Sequence, residues 1–209
     1  MTGASPSSST PSFGPVLCGA EDLALRLQAG SAALFPTDTL PALAAAPAHA
    51  GQIWRLKQRP PDKPLILMAA HLFQLEGALG VPWKPEWLEL AEALWPGAVT
   101  LVLPAVSNWA EALNPGGSSL GLRIPACEPA LELLCCTGPL ATTSANRSGD
   151  PAATSADQAA ALFPDVPQLA PVPWPAAAGT ASTVLAWSPE GWQVLRAGAS
   201  LPENLPLLF

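Results

Sequence analysis

The chain has 209 residues, of which 49% are hydrophobic and only 12% are charged, and its formal net charge is -7. This composition predicts a folded protein with a real core, built as one large domain or two small ones. The negative charge argues against a protein that holds nucleic acid through a broad basic face, because phosphate neutralisation needs many clustered Lys and Arg side chains. With no run of about 18 apolar residues and no signal-peptide pattern, we expect a cytoplasmic enzyme or binding protein.

The N-terminal segment and the cysteines limit what the fold can be. Residues 1–15 are rich in Ser, Thr, Pro and Gly and are predicted to be disordered, which leaves residues 16–209 as the folded domain. The four cysteines form no C-x-x-C pair and have no His at ligand spacing. Neither a zinc site nor a disulfide framework is therefore predicted, and we expect buried free thiols.

Helical and strand patterns alternate along the rest of the chain. Apolar residues at helical spacing predict helices, and short apolar runs bounded by Pro or Gly predict strands. In chain order the predicted elements are a helix over residues 21–30, a strand over 32–35, a helix over 49–58, a strand over 64–70, a helix over 85–94, strands over 98–104 and 119–125, a helix over 128–136, a strand over 139–146, a helix over 155–162, and strands over 182–187 and 192–198. Such alternation predicts an α/β domain with a largely covered sheet.

Polar residues interrupt this apolar chain mainly where a predicted strand becomes a loop. They are Thr37, Asp38, Thr39, Lys57, Arg59, Lys63, Arg123, Ser144, Asn146, Ser182, Thr183 and Arg196. Open α/β sheets bind ligands at strand ends, so these side chains are expected to share one cleft. Arg and Lys form charge-assisted bonds to phosphates or carboxylates, which indicates an anionic ligand. In the absence of an evident Cys, His or paired-carboxylate device, catalysis there would depend on positioning and on stabilising charge at phosphorus.

Local explanations compete with this interpretation. Four cations crowd the segment WRLKQRPPDKPLI, and a solvated helix end explains such a cluster as well as an anion site does. The segments TDT and TSAN can likewise be an Asx-type turn after Pro36 and a turn cap. Arg123 and Arg196 are different, because a lone Arg at the end of an apolar strand is costly to bury without a partner. We therefore favour ligand roles for these two residues.

The chain resembles the YrdC-like family of L-threonylcarbamoyladenylate synthases in a set of ordered segments: FPTDT, LKQRPPDKPL, WPGAVTLVL, GLRIP, TSANRSG, STVL and VLRAG. The likeness covers roughly residues 18–200. The combination of K-x-R with S-x-N, flanked by the P-T-x-T turn and by W-P-G, is specific as an ordered set. The resemblance implies a single-domain twisted mixed sheet with flanking helices and a ligand cleft, in the short form of the family. It also implies an enzyme that joins L-threonine, bicarbonate and ATP into threonylcarbamoyl-AMP with release of pyrophosphate.

The resemblance assigns roles to individual residues. The implied catalytic cluster around the nucleotide phosphates consists of Lys57, Arg59, Ser144 and Asn146. The implied ATP-binding residues are Arg59, Lys63, Ser119, Ser144 and Arg196, and the implied threonine-binding residues are Thr39, Arg123, Thr142 and Ser182. Mg²⁺ would be shared between the polyphosphate oxygens, with no protein side chain predicted as its ligand. Partner proteins would pass the threonylcarbamoyl group to adenosine 37 of tRNA, with at most weak direct tRNA contact by this chain.

Some positions depart from the family pattern. Pro41-Ala42 stands where many relatives have Tyr-Gly, and Met68 stands where some have His. The extra C-terminal domain of longer relatives is not expected, and the proline-rich stretch over residues 164–178 is a candidate for a mobile lid over ATP. Two alternatives stay open: a non-catalytic RNA-binding module of the same fold, and a paralogue that uses another amino acid or carbamoyl donor.

Overall fold

Helices and strands alternate along the chain in the computed structural model, which describes residues 15–58, 60 and 63–201. The strands are β1 (Leu17–Cys18), β2 (Ala33–Phe35), β3 (Ala42–Ala45), β4 (Ile66–Met68), β5 (Val99–Pro104), β6 (Ser119–Arg123), β7 (Leu140–Ser144), β8 (Gln168–Leu169), β9 (Thr183–Ser188) and β10 (Gly191–Arg196). The helices are α1 (Ala20–Gln28), α2 (Gly51–Lys57), α3 (Pro85–Leu94), α4 (Asn108–Leu113), α5 (Glu128–Thr137) and α6 (Ala156–Leu162). Short 3-10 turns lie at Pro47–His49 and Leu72–Leu75. The predicted disordered segment, residues 1–15, lies outside the described residues except for its last residue.

The strands form one mixed sheet in the order β1-β8-β2-β3-β7-β4-β6-β5-β9-β10. Its centre combines an antiparallel pair of β7 with β4 and a parallel pair of β4 with β6. The predicted α/β class with a mixed sheet and flanking helices is therefore confirmed. Every predicted helix and strand is present, and the structure adds β1, β3, β8 and α4.

Strand β8 lies inside the proline-rich stretch that was expected to be mobile. Both of its residues are buried, and it pairs in parallel with β1 and with β2. Further on, the backbone amide of Ala178 donates to the carbonyl of Asp38 and that of Gly179 to the carbonyl of Thr39. The stretch is thus tied to the sheet and to the turn after β2, and the prediction of a free lid is wrong for these parts.

One face of the sheet carries the larger core. Side chains alternate between the two faces of a strand, so Leu67 of β4, Leu101 of β5 and Leu122 of β6 point to the same side. All three are 0% exposed and belong to one cluster with Ile53 of α2 and Trp87 of α3. This face is the one on which α2, α3 and α4 pack.

The opposite face is covered by α1 and α5 at one end. Phe35 of β2 and Met68 of β4 point to this side and pack in a second cluster with Leu27 of α1 and Leu133 of α5. The alternation places Val102 of β5, Gly121 of β6 and Thr142 of β7 on this same face. They form the cavity described below.

The cysteines divide into two groups. All four thiols are free; Cys18 and Cys127 are buried, whereas Cys135 and Cys136 are exposed on α5. The expectation of buried thiols is confirmed for the first pair and wrong for the second, since α5 turns that edge to the surface. Burial also raises the pKa of the Cys127 thiol.

The W-P-G segment before β5 is fixed by hydrogen bonds to its neighbours. The indole Nε1 of Trp95 donates to the carbonyl of Val99 at 2.8 Å, and the amide of Gly97 donates to the carbonyl of Ile124 at 2.9 Å. A Cβ added at Gly97 would lie 2.4 Å from the carbonyl oxygen of Leu94, well inside contact distance. Glycine at this position is therefore a packing requirement.

We predict that Gly97→Ala lowers the free energy of unfolding by about 1–3 kcal/mol, because the backbone must shift to admit the methyl group. The matched control is Gly77→Ala, whose added Cβ would meet nothing within 4 Å. The control should stay within about 0.5 kcal/mol of the wild-type protein. Urea unfolding of the three proteins measures the difference, and equal midpoints for Gly97→Ala and Gly77→Ala would contradict this account.

Candidate active site

A cavity of about 420 Å³ lies on the sheet face that carries α1 and α5. Its floor is one row of neighbouring residues: Thr142 of β7 pairs with Ile66 of β4, Ile66 with Gly121 of β6, and Gly121 with Val102 of β5. A Cβ at Gly121 would lie 2.9 Å from Cγ2 of Ile66. The glycine therefore keeps the middle of the floor open.

The cavity brings together polar residues that are far apart in sequence. The predicted site residues among those that line it are Thr39, Ser119, Arg123, Thr142, Ser144, Ser182 and Arg196. Lys57, Asn146 and Lys63 do not line it, and Arg59 lies outside the described residues. One pocket thus collects side chains from β6, β7, β10 and two loops, as the strand-end pattern indicated.

Arg123 is the more deeply buried of the two arginines that line the cavity, with 3% exposure. Its Nε donates to the carbonyl of Gly97 at 3.1 Å, one terminal nitrogen to Oγ1 of Thr39 at 2.8 Å, and the other to Oδ1 of Asp38 at 2.6 Å. Burial lowers the pKa of the Arg123 guanidinium, and the nearby Asp38 carboxylate opposes that shift. The unpaired Arg expected from the sequence therefore has a partner within the chain, and three of its five N–H groups are used in these bonds.

The turn after β2 is organised by the hydroxyl of Thr37. This oxygen accepts from the amides of Thr39 and Leu40 at 3.2 Å each and donates to the carbonyl of Leu40 at 2.7 Å. The Oγ1 atoms of Thr37 and Thr39 are also 3.0 Å apart. A local side-chain-stabilised turn is thus present, but the Thr37 hydroxyl organises it and not Asp38 as an Asx-type turn would require, since the Asp38 carboxylate accepts from Arg123. The same turn presents Thr39 to Arg123.

A second cation, Arg196, sits at the end of β10. Its Nε and one terminal nitrogen donate to the carbonyl of Ser182 at 3.1 and 2.8 Å. The hydroxyl of Ser182 lies 2.9 Å from that of Thr100, so a polar strip continues from β10 into β5. Arg196 is exposed at the cavity edge, and the partial desolvation of its guanidinium lowers the pKa of Arg196.

Lys57 occupies a different environment from the one expected. It ends α2 and is only 1% exposed, so the explanation by a solvated helix end is wrong for this residue. Its Nζ donates to the carbonyl of Ser144 at 2.6 Å and to the carbonyl and Oδ1 of Asn146 at 2.7 Å each. The sequence around Lys57 indicates a solvated side chain, because the acceptors of its ammonium group lie 87 and 89 residues away along the chain and leave no local pattern.

Three polar residues of the cavity lining were missed by sequence reasoning: Thr100, Asn114 and Thr143. Thr100 is 1% exposed, and Asn114 follows α4 and donates from Nδ2 to the carbonyl of Ser119 at 2.9 Å. The signal for Thr100 was present, since it is the one polar residue in the apolar run AVTLVLP and a strand places it on the same face as Val102. For Lys63, the neighbouring Pro64 lines the cavity while Lys63 itself is exposed.

Two searches of the described residues concern metals and membranes. Among residues 15–58, 60 and 63–201, no three His, Cys, Asp or Glu side chains are grouped so that they could hold a metal ion. In the same part of the chain, no helix is long and apolar enough to cross a bilayer.

The chain is similar in sequence to one family model and to named synthases from other organisms. Residues 26–198 match the Sua5, YciO and YrdC family model, which is described as telomere recombination. A threonylcarbamoyl-AMP synthase of Stenotrophomonas maltophilia is 39% identical over 133 residues, which is 61% of this chain and 71% of that protein. A threonylcarbamoyl-AMP synthase of Alkalilimnicola ehrlichii is 35% identical over 158 residues, which is 73% of this chain and 78% of that protein.

A solved structure carries the same fold. Sua5 of Pyrococcus abyssi complexed with L-threonine superposes with a TM-score of 0.77 at 30% identity. The match covers 88% of this chain and 56% of the Pyrococcus chain, so this chain spans little more than half of that relative. With the family model matched over most of its length and this sheet and cavity in place, the chain belongs to the Sua5, YciO and YrdC family.

Proposed function

We propose that this protein is a threonylcarbamoyl-AMP synthase, which forms threonylcarbamoyl-adenylate and pyrophosphate from L-threonine, bicarbonate and ATP. The observation that carries the proposal is the single cavity of about 420 Å³ in which two guanidinium groups and several hydroxyls meet. A volume of this order suits a small-molecule site. The synthases of Stenotrophomonas and Alkalilimnicola support the reaction type.

The threonine side of the cavity is the region around Arg123. Two of its five N–H groups remain after the bonds to Gly97, Asp38 and Thr39, and a guanidinium binds a carboxylate through paired N–H groups. The hydroxyls of Thr142 and Ser182 line the same cavity and suit the hydroxyl and amine of an amino acid. The L-threonine complex of the Pyrococcus relative supports this assignment.

The ATP side is the rim formed by Ser119, Ser144 and Arg196. We also assign Arg59 and Lys63 to this side, because Lys63 directly precedes Pro64, which lines the cavity. Arg196 offers a positive charge at the cavity edge, where a polyphosphate gains from it. We expect Mg²⁺ to enter as the Mg²⁺–ATP substrate, held by phosphate oxygens. The residues fit this arrangement, because Asp38, the described carboxylate beside Thr39, is engaged by Arg123 at 2.6 Å.

The chemistry then depends on holding substrates in line. Threonine and bicarbonate combine with loss of water into N-carboxythreonine, whose carbamate oxygen forms a bond to the α-phosphorus as the bond from that phosphorus to pyrophosphate breaks. Positioning together with charge stabilisation can carry most of such a transfer. The product would pass to partner proteins that modify adenosine 37 of tRNA. We propose that this takes place in the cytoplasm, with at most weak contact between this chain and the tRNA.

The direct test is pyrophosphate release by the purified protein with ATP, L-threonine and bicarbonate. We expect release that requires all three substrates, together with a threonylcarbamoyl-adenylate product detected by mass spectrometry. Release that is unchanged when threonine or bicarbonate is omitted would contradict the proposal. Salt-sensitive tRNA binding without turnover would favour the RNA-binding alternative, and turnover with another amino acid would favour the paralogue.

Substitution of each of the two arginines should change the KM for a different substrate. Arg123→Lys keeps the charge beside Asp38 but loses the paired N–H groups, so we expect the KM for threonine to rise about tenfold or more and the KM for ATP to change little. Arg196→Lys, the matched change at the edge of the cavity, should raise the KM for ATP instead. Steady-state kinetics with each substrate varied measures both effects. Equal rises of both KM values in both variants would reject this division of the cavity.

A further inference from the structure

We propose that Lys57 and Asn146 are positioning residues: they touch no substrate but hold the loop after β7 so that the Ser144 hydroxyl faces the cavity in one orientation. The inference deepens the proposed function, since turnover is one of its readouts. It differs from the role that the family resemblance implies, in which both side chains contact the nucleotide phosphates. The evidence is the hydrogen-bond network of Lys57, Asn146 and Ser144, in which the donors of each side chain already have acceptors within the protein.

The ammonium group of Lys57 already has an acceptor for each of its hydrogens. An ammonium carries three donors and no acceptor, and Nζ lies 2.6, 2.7 and 2.7 Å from the carbonyl of Ser144, the carbonyl of Asn146 and Oδ1 of Asn146. The residue is 1% exposed and does not line the cavity. To reach a phosphate oxygen it would have to give up one of these bonds, which would leave a buried acceptor unpaired.

The side chain of Asn146 is fixed in one orientation by its own partners. Its Nδ2 donates to the carbonyl of Arg147 at 2.9 Å and to the carbonyl of Asp150 at 2.7 Å. Carbonyls only accept, so the nitrogen must face them and the oxygen must face the other way. Oδ1 then accepts from Lys57 and from the hydroxyl of Ser144, each at 2.7 Å, which uses both of its lone pairs.

The hydroxyl of Ser144 is oriented as a result. Its single hydrogen points to Oδ1 of Asn146, so the oxygen presents lone pairs to the cavity that it lines. Lys57 also holds the backbone carbonyl of the same residue. Ser144 is thus held at two points. Its carbonyl accepts directly from Lys57, and its hydroxyl donates to Oδ1 of Asn146, which also accepts from Lys57.

Further bonds join the loop to the end of α2. The amide of Ser148 donates to the carbonyl of Lys57 at 2.9 Å, and the guanidinium of Arg147 donates to the carbonyl of Leu56. The last carbonyls of a helix need such partners from outside the helix. The end of α2 and residues 144–150 are therefore one packed unit, and the S-x-N spacing is the one that lets Oδ1 reach back to the serine hydroxyl.

The first arm of the test is a double-mutant cycle on kcat/KM. Ser144→Ala is expected to lower it about tenfold or more, the usual effect of losing one good hydrogen bond to substrate. Asn146→Leu should cause a similar loss, and the double variant should be no worse than about threefold below the poorer single variant, because both changes remove the same contact. Losses that multiply in the double variant would show that Asn146 acts on substrate independently of Ser144.

The second arm uses Asn146→Asp as the conservative control. An aspartate keeps an oxygen for Lys57 and for Ser144 but loses the Nδ2 donors, so kcat/KM should exceed that of Asn146→Leu by about tenfold. A merely structural role, exerted through the Nδ2 bonds to Arg147 and Asp150, predicts equal losses for the two variants. Equal losses would overturn the inference.

The third arm compares Lys57→Met with Arg55→Met in the ligand-free protein. Both residues lie in the last turn of α2, but Arg55 is exposed. Lys57→Met should lower the Tm by about 3–8 °C, because three acceptors lose their donor, whereas Arg55→Met should change it by less than about 2 °C. Equal Tm values with loss of ATP binding only in Lys57→Met would identify Lys57 as a direct phosphate ligand and overturn the inference.

The wild-type protein in the same assay keeps the two proposals apart. If it releases no pyrophosphate, the proposed function fails, and amide hydrogen exchange of residues 144–150 still tests the positioning role. Faster exchange in Asn146→Leu and Lys57→Met than in Asn146→Asp would support that role. Unchanged exchange in all three variants would reject it.

Discussion

A guanidinium group that is buried must find acceptors, and the placement of Arg123 sets much of the surrounding structure. Its three hydrogen bonds join β6 to the W-P-G segment before β5 and to the turn after β2. Breaking a buried pair of this kind leaves a charge without compensation, which is far more costly than losing a surface ion pair. The two loops are therefore held at fixed positions over the same end of the sheet, and the cavity between them has a defined shape.

How much of the fold the sequence predicts depends on the length and chemistry of each element. Apolar runs such as PLILMAA and AVTLVLP, bounded by Pro and Gly, predict β4 and β5 correctly. Strand β3 was missed because its residues ALAA have neither β-branched nor aromatic side chains, and β8 has only two residues inside a proline-rich stretch. Such strands are stabilised by their neighbours in the sheet, which no local pattern reports.

The candidate site shows the same division between local and long-range information. Residue type and position at strand ends were enough to bring Thr39, Arg123, Ser144 and Arg196 into one cavity. The burial of Lys57 could not be predicted, because a lysine in a polar segment is usually solvated and its three acceptors come from the loop after β7. The partner of Arg123 was equally hidden, since Asp38 is separated from it by 85 residues.

The turn after β2 is held from both sides. On one side Arg123 grips Asp38 and Thr39, and on the other the amides of Ala178 and Gly179 bind the carbonyls of the same two residues. A loop that is already ordered costs little conformational entropy when a ligand arrives. Because this turn is preorganised, the contacts that an incoming amino acid makes with it add to affinity and are not offset by the cost of ordering the loop.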